Sequence, residues 1–223
     1  MPRATWLALI ADLRASRSIP KSDRQGIDKA LLSAAKQTVR RRSSSVRLGP
    51  EILKGDELQL VFAPEAPCLL IAIELRGRLR VLTRGRADLR IGLGSGPIDR
   101  LDRRGRPFSS DGPAFHLARA AIEHTWSMAG ARRIAWRQGH DGVDSVIDPV
   151  LGLVDAITAR WTLAQWEAVI GRLEDKSLDA IARNHAVSFQ SVSKRLLAAS
   201  WREVEATLFT LQRLNSSNST LKG

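Results

Sequence analysis

Leu53-Lys54-Gly55-Asp56-Glu57-Leu58-Gln59-Leu60-Val61-Phe62 is the stretch whose reading decides the fold. Apolar residues reach a turn of Lys-Gly-Asp-Glu and resume as Leu58, Leu60, Val61 and Phe62, the pattern of two antiparallel strands joined by a tight hairpin. The turn sets two acids at the end of a sheet. An earlier apolar run of strand length, Trp6-Leu7-Ala8-Leu9-Ile10-Ala11, stops at Asp12. If the two strands are neighbours, Asp12 and Asp56 converge. Carboxylates a few ångströms apart repel each other, and a hard divalent cation such as Mg²⁺ or Mn²⁺ relieves that repulsion with oxygen ligands. Asp12 and Asp56 are therefore the candidate metal ligands. The competing reading gives Asp56 to a turn and Asp12 to a strand end, where acids are common.

Behind Asp12 lies a polar loop containing Arg14, Ser16 and Arg17, with room for a phosphate. These three, with Lys54 and Gly55 of the hairpin turn, are the candidate nucleotide contacts. Ser22 with Gln25 forms a capping-box pattern, followed at helical spacing by Ile27, Leu31, Ala34, Ala35 and Thr38. Val46 to Leu48 and Ile52-Leu53 predict a strand broken near Gly49-Pro50, which leads into the hairpin. Cys68 to about Leu82 reads as a second helix, and Leu89 to Gly96 as a strand whose glycines permit close backbone approach. Asp111 or Gly112 can cap a third helix carrying Phe115, Ala118, Ala121, Ile122 and Thr125, and Ile134-Ala135-Trp136 closes the sheet. This order predicts an α+β domain over residues 1–140 with a ferredoxin-like, split βαβ sheet.

From Val143 the pattern is helical only, which predicts a helical linker over 141–160 and an all-α domain over 161–214. Leu178, Ile181 and Ala182, a turn at Ala186-Val187-Ser188, and Val192, Leu196 and Leu197 have helix-turn-helix spacing. The second of these helices presents Gln190, Ser191, Lys194 and Arg195, side chains suited to base edges and phosphates of double-stranded DNA. A helical bundle with a solvated polar face is the plainer alternative. Trp201, Val204, Leu208, Leu211 and Leu214 form an apolar stripe that packs on the other helices or on a second copy, and a homodimer is expected. Residues 215–223 read as a disordered tail.

Composition narrows the partners. The 223 residues are 43% hydrophobic, enough for a core, and carry a formal net charge of +12, which favours polyanions. Most of the excess lies before residue 160, in runs around Arg40-Arg41-Arg42 and from Arg76 to Arg106. The single cysteine, Cys68, cannot close an internal disulfide, and no apolar run is long enough to span a bilayer. The expectation is a cytoplasmic chain without a membrane segment.

Four segments carry a family resemblance: Leu9-Ile10-Ala11-Asp12, Lys54-Gly55-Asp56-Glu57-Leu58-Gln59, Arg90 to Gly96, and Asp111-Gly112-Pro113-Ala114-Phe115. In this order they resemble the SatD family of bacteria over most of the chain. More distantly they are similar to the catalytic palm of class III nucleotide cyclases and of diguanylate cyclases with their GGDEF hairpin. That resemblance implies metal binding by a first-strand Asp and a hairpin acid, here Asp12 and Asp56. The cyclase pattern also has an Asn and, four residues later, an Arg on the helix after the glycine-rich strand. Here His116 and Ala120 stand at those positions, and Arg119 falls one residue early, 100° around the helix. Lys54 also stands where the diguanylate hairpin has its first Gly. The segment from Ile181 to Leu196 is similar to the DNA-binding helices of LuxR-type regulators and sigma-factor region four. Together these features favour a DNA-binding regulator with a degenerate cyclase-like sensor or dimerisation domain. The alternatives are a metal-dependent nucleotide cyclase or nucleotidyl transferase using Asp12 and Asp56, or an interaction module with structural acids.

Overall fold

The computed structural model describes residues 5–14, 20–53, 56–128 and 132–220, with residues 214–220 described through their backbone alone. Five strands form one mixed sheet: β1 (Trp6–Leu13), β2 (Val46–Leu53), β3 (Glu57–Phe62), β4 (Leu89–Gly96) and β5 (Ile134–Arg137), in the order β2-β3-β1-β4-β5. All neighbours are antiparallel except β4 and β5. The first four strands have the split βαβ arrangement expected from the sequence. Strand alternation divides the side chains of β1 between two cores. Leu7, Leu9, Ala11 and Leu13 join α1 (Lys21–Arg41) and α2 (Cys68–Leu82), whereas Ala8 and Ile10 join Ala114, Phe115, Ala118 and Ile122 of α3 (Pro113–Ser127).

The glycines of β4 explain where α3 sits. A Cβ on Gly94 would collide with the Ala114 carbonyl and the Ala118 amide, and one on Gly92 with the Ala118 carbonyl. The helix therefore rests backbone against backbone on the strand, which no other residue type would allow. A third glycine, Gly77, interrupts a helical pattern for a similar reason. A Cβ there would lie 2.7 Å from the Trp166 ring of α5 (Leu163–Leu173).

That contact shows how the second half of the chain attaches. After α4 (Asp141–Thr158) come α5, α6 (Leu178–Asn184), α7 (Phe189–Ala198) and α8 (Trp201–Thr220). Trp161, Trp166, Val169, Leu173, Trp201, Val204, Leu208 and Leu211 lie in the same apolar cluster as α2 and the sheet. So the helices beyond residue 160 pack on α2, which is buried between them and the sheet. The stripe from Trp201 to Leu211 is core and offers no face to a second copy. Among the described residues, no helix is long and apolar enough to cross a membrane.

Three local expectations change. Ser22 does not cap α1, which starts at Lys21 behind Pro20 without a side-chain cap bond, the proline having already set the entry dihedral. β2 is continuous through Gly49-Pro50, which it accommodates by shifts of register against β3 rather than by a break. α8 runs on to Thr220, past the expected start of a tail at 215, because no Gly or Pro intervenes to stop it. Residues 221–223 lie outside the described ones.

Arg76 of α2 is among the fully buried polar residues, with no solvent exposure. Its guanidinium donates to both oxygens of Asp88, at 3.0 and 3.1 Å, and to Asp155 of α4 at 3.2 Å. Asp155 in turn accepts from the backbone N–H groups of Arg133 and Ile134, at 2.7 and 2.9 Å, tying α4 to β5. Burial alone would raise the Asp88 carboxyl, but Arg76, Arg80 and Arg133 outweigh it and hold the pKa down at about 2.

Two outcomes are expected. Gly94→Ala forces α3 off the sheet and should lower stability by about 1–3 kcal/mol, the usual cost of overpacking, measured by urea unfolding; an unchanged midpoint would show that the close approach is not a constraint. A depressed folded pKa gives Asp88 a contribution that is complete above its unfolded value of 3.8 and is lost as pH falls toward 2. Asp88→Asn should therefore cost roughly 2–3 kcal/mol at neutral pH, and the gap between wild type and variant should close between pH 4 and 2. A gap independent of pH would mean that Asp88 acts by shape and not by charge.

Candidate functional site

The hairpin and the end of β1 meet at one end of the sheet. In register, Asp12 of β1 lies opposite Glu57 of β3 on one side and Arg90 of β4 on the other. Alternation from Ala8 and Ile10 puts this row on the α3 face. Arg90 grips Asp12 with a two-pronged pair, Nε to Oδ1 and Nη2 to Oδ2, both at 3.0 Å. Its guanidinium also lies 5.5 Å from the centre of the Trp126 ring, and Trp126 hydrogen-bonds Asp12. Glu57 is held in the same manner by Arg119 of α3, at 2.9 and 2.6 Å, and accepts from Gln59 at 3.2 Å. The result is a row of paired charges along one edge, Arg119 to Glu57 and Arg90 to Asp12.

The Asp12 carboxyl sits above its ordinary pKa. Burial is the largest cause, the Arg90 fork opposes it, and the negative charge of Asp56 raises it further. Asp12 and Asp56 therefore occupy the same end of the sheet, close enough to repel. Asp56 lies in the turn, where its N–H reaches the Leu53 carbonyl at 3.4 Å and its carboxylate is 3.6 Å from Arg24 of α1. Among the described residues, no group of three or more His, Cys, Asp or Glu is placed to hold a metal ion.

Ser16, Arg17, Lys54 and Gly55 lie outside the described residues. Arg14 is exposed just past β1 and lines a cavity on the α1–α2 side of the sheet, away from the Asp12 row. His116 is exposed on α3 and contacts Asp111 across 3.0 Å, a contact that helps to keep the Asp111 carboxyl below its usual value after the Gly112 N–H has done most of the work. Arg119, one residue off the cyclase-like position, still reaches the sheet end through its long stem. Glu57 and Arg90 are the residues that motif reading passed over. The β1–β3 register that pairs Leu58 with Ala11 also pairs Glu57 with Asp12, and the β1–β4 register pairs Arg90 with Asp12.

In the C-terminal helices, α6 and α7 bury Ala182 and Val192 together with Ala168 of α5. Ala186 takes the left-handed conformation, φ 51°, in the turn between them. Gln190 and Lys194 are exposed and Arg195 is half-buried. Ser191 is occupied locally: its N–H donates to the Ser188 hydroxyl at 3.1 Å, closing the N-terminus of α7.

Solved structures to which the chain is similar include nucleotide cyclase domains. The monomeric guanylyl cyclase domain of the RhoGC fusion protein from the aquatic fungus Blastocladiella emersonii is 15% identical, matching 55% of this chain and 77% of that one with a TM-score of 0.41. A bacterial light-regulated adenylyl cyclase is 12% identical over 61% of this chain and 44% of that one, with a TM-score of 0.45. The adenylyl cyclase CyaB from P. aeruginosa is 14% identical over 55% and 72% of the two chains, with a TM-score of 0.41. Among proteins of curated function, none matches in sequence. The SatD family model aligns with residues 6–205, from the first strand into the last helix, and the protein belongs to the SatD family.

Proposed function

We propose that this chain binds a nucleoside triphosphate together with Mg²⁺ or Mn²⁺ at the sheet end formed by Asp12, Asp56 and Glu57. The observation supporting this reading is the cross-strand row in which two acids, with a third in the adjoining turn, are each flanked by an arginine fork. Asp12 and Asp56 supply the hard oxygen donors such an ion takes, and Mg²⁺ commonly binds through one or two carboxylates plus substrate phosphates. Phosphate oxygens would complete the shell, and the ion would neutralise charge on the phosphates. Both oxygens of Asp12 are engaged by Arg90, so ligand entry exchanges that fork for the ion. Arg90, once released, has the planar geometry to clamp a phosphate.

Turnover asks for more than binding. Ala120 occupies the place of the Arg in the cyclase-like pattern, and His116 the place of its Asn. The reading is therefore a cyclase-like palm that senses a nucleotide, with cyclase or nucleotidyl transferase activity as the alternative that the same assay resolves. Thermal melts with ATP and Mn²⁺ should show a ligand-dependent rise worth about 2.7 kcal/mol at a hundred times the dissociation constant. Asp12→Asn and Asp56→Asn should each abolish the metal-dependent part of that rise. A rise that survives Asp56→Asn would remove the site, and a labelled cyclic or transferred product would establish turnover.

A second reading, binding of duplex DNA by α7, is favoured by the exposure of Gln190 and Lys194 beside Arg195 on a helix seated in a tight three-helix cluster. Replacing both Lys194 and Arg195 by Ala should weaken duplex binding and reduce the slope of log affinity against log salt by about two units, near one per phosphate contact. Gel-shift affinity unchanged in the folded double variant would eliminate it. A homodimer, if formed, must use a surface other than Trp201 to Leu211.

A further inference from the structure

On the helix-covered side of the sheet, past the end of β1, lies a cavity of about 480 Å³ lined by Arg14, Arg80, Arg86, Arg133, Asp23 and Asp88. That volume falls within the range of small-molecule sites. Four arginines line it against two aspartates, and both carboxylates are already committed. Asp23 pairs with Arg86 at 3.3 Å, while Asp88 serves Arg80 and Arg133 at 3.1 and 3.3 Å in addition to the buried Arg76. Positive charge is left over. No carboxylate among the described residues pairs with Arg14, and the Nε of Arg80 is buried with no hydrogen-bond partner. Arg133 is pressed in the same direction: burial lowers its pKa most, Asp88 opposes this, and the like charges of Arg14 and Arg76 lower it further.

We propose that this cavity is a binding site for a phosphate-bearing anion, with Arg14, Arg80 and Arg86 as its contacts. Guanidinium forks match phosphate oxygens in pairs, and several converging forks favour a group with many acceptors, such as a diphosphate, over a single carboxylate. Ile27, Pro20 and Ala87 give one wall an apolar character, against which the remainder of a phosphorylated molecule can rest. The site uses neither Asp12 nor Asp56 and requires no metal, so it stands apart from the reading above.

Calorimetric titration of the full chain with pyrophosphate, and separately with ADP, both in EDTA, tests this directly. Chelation removes the ions on which the Asp12–Asp56 site depends, so the two proposals fail separately. Both ligands should bind. Equal affinities would assign recognition to the phosphates alone, and tighter ADP binding would bring in the apolar wall. Arg14→Ala combined with Arg86→Ala should weaken both ligands by about tenfold or more. Lys36→Ala combined with Arg40→Ala, which removes equal charge from α1, should bind as the wild type does. Arg86 is largely exposed, and the single variant Arg14→Gln provides the same test should the double variant unfold. Absence of binding by the wild type at millimolar ligand, or equal weakening in both double variants, would overturn the assignment.

Discussion

A guanidinium sealed from water organises this molecule. Arg76 is fixed by Asp88 on one side and Asp155 on the other, and its face lies 5.6 Å from the centre of the Trp166 ring. Burying three charges carries a desolvation cost of several kcal/mol per ion, which only near-complete pairing can offset. The pairing is spread over four parts of the chain: α2, the start of β4, α4 and, through the Asp155 acceptors, β5. No one of them can move without exposing or orphaning a charge. The sheet and the C-terminal helices are thereby coupled through the packing of α2, within one apolar cluster.

The same chemistry recurs at the surface in a looser form. The Arg90–Asp12 and Arg119–Glu57 pairs are two-pronged and only partly buried, so each can be opened at far lower cost than the Arg76 network. That graded burial separates a structural ion pair from one that a ligand can replace. Charge balance, not depth, sets the two carboxyls apart: Asp88 is held down by three arginines, whereas at Asp12 burial and the neighbouring Asp56 outweigh the single Arg90 fork.

Much of this was legible in the chain. The element order, the hairpin and the glycines of β4 rest on period-two alternation and on turn chemistry, both local properties, and they appear where those patterns put them. What escaped was non-local. Gly77 breaks a helical pattern for a reason no local rule gives: Trp166, far along the chain, occupies the space a side chain there would need. Ser22 and Gln25 satisfied a capping pattern, yet Pro20 had already opened the helix. Asp12 and Asp56 were readable as acids at strand ends, whereas the arginines that engage the row come from β4 and α3, and only the register identifies them. The stripe from Trp201 to Leu211 had helical spacing whether it faced a partner or the interior; burial against α2 resolved it.

The backbone contact between β4 and α3 carries a consequence for evolution of the site. With the Ala114 and Ala118 backbone of α3 set directly against Gly92 and Gly94, α3 cannot roll about its axis, so each position on it has a fixed outlook. Ala118 looks inward and Arg119 toward the sheet end, while Ala120 is exposed and His116 is exposed beside Asp111. A side chain placed at 116 or 120 would meet solvent, and any molecule it engages would have to approach from outside that face.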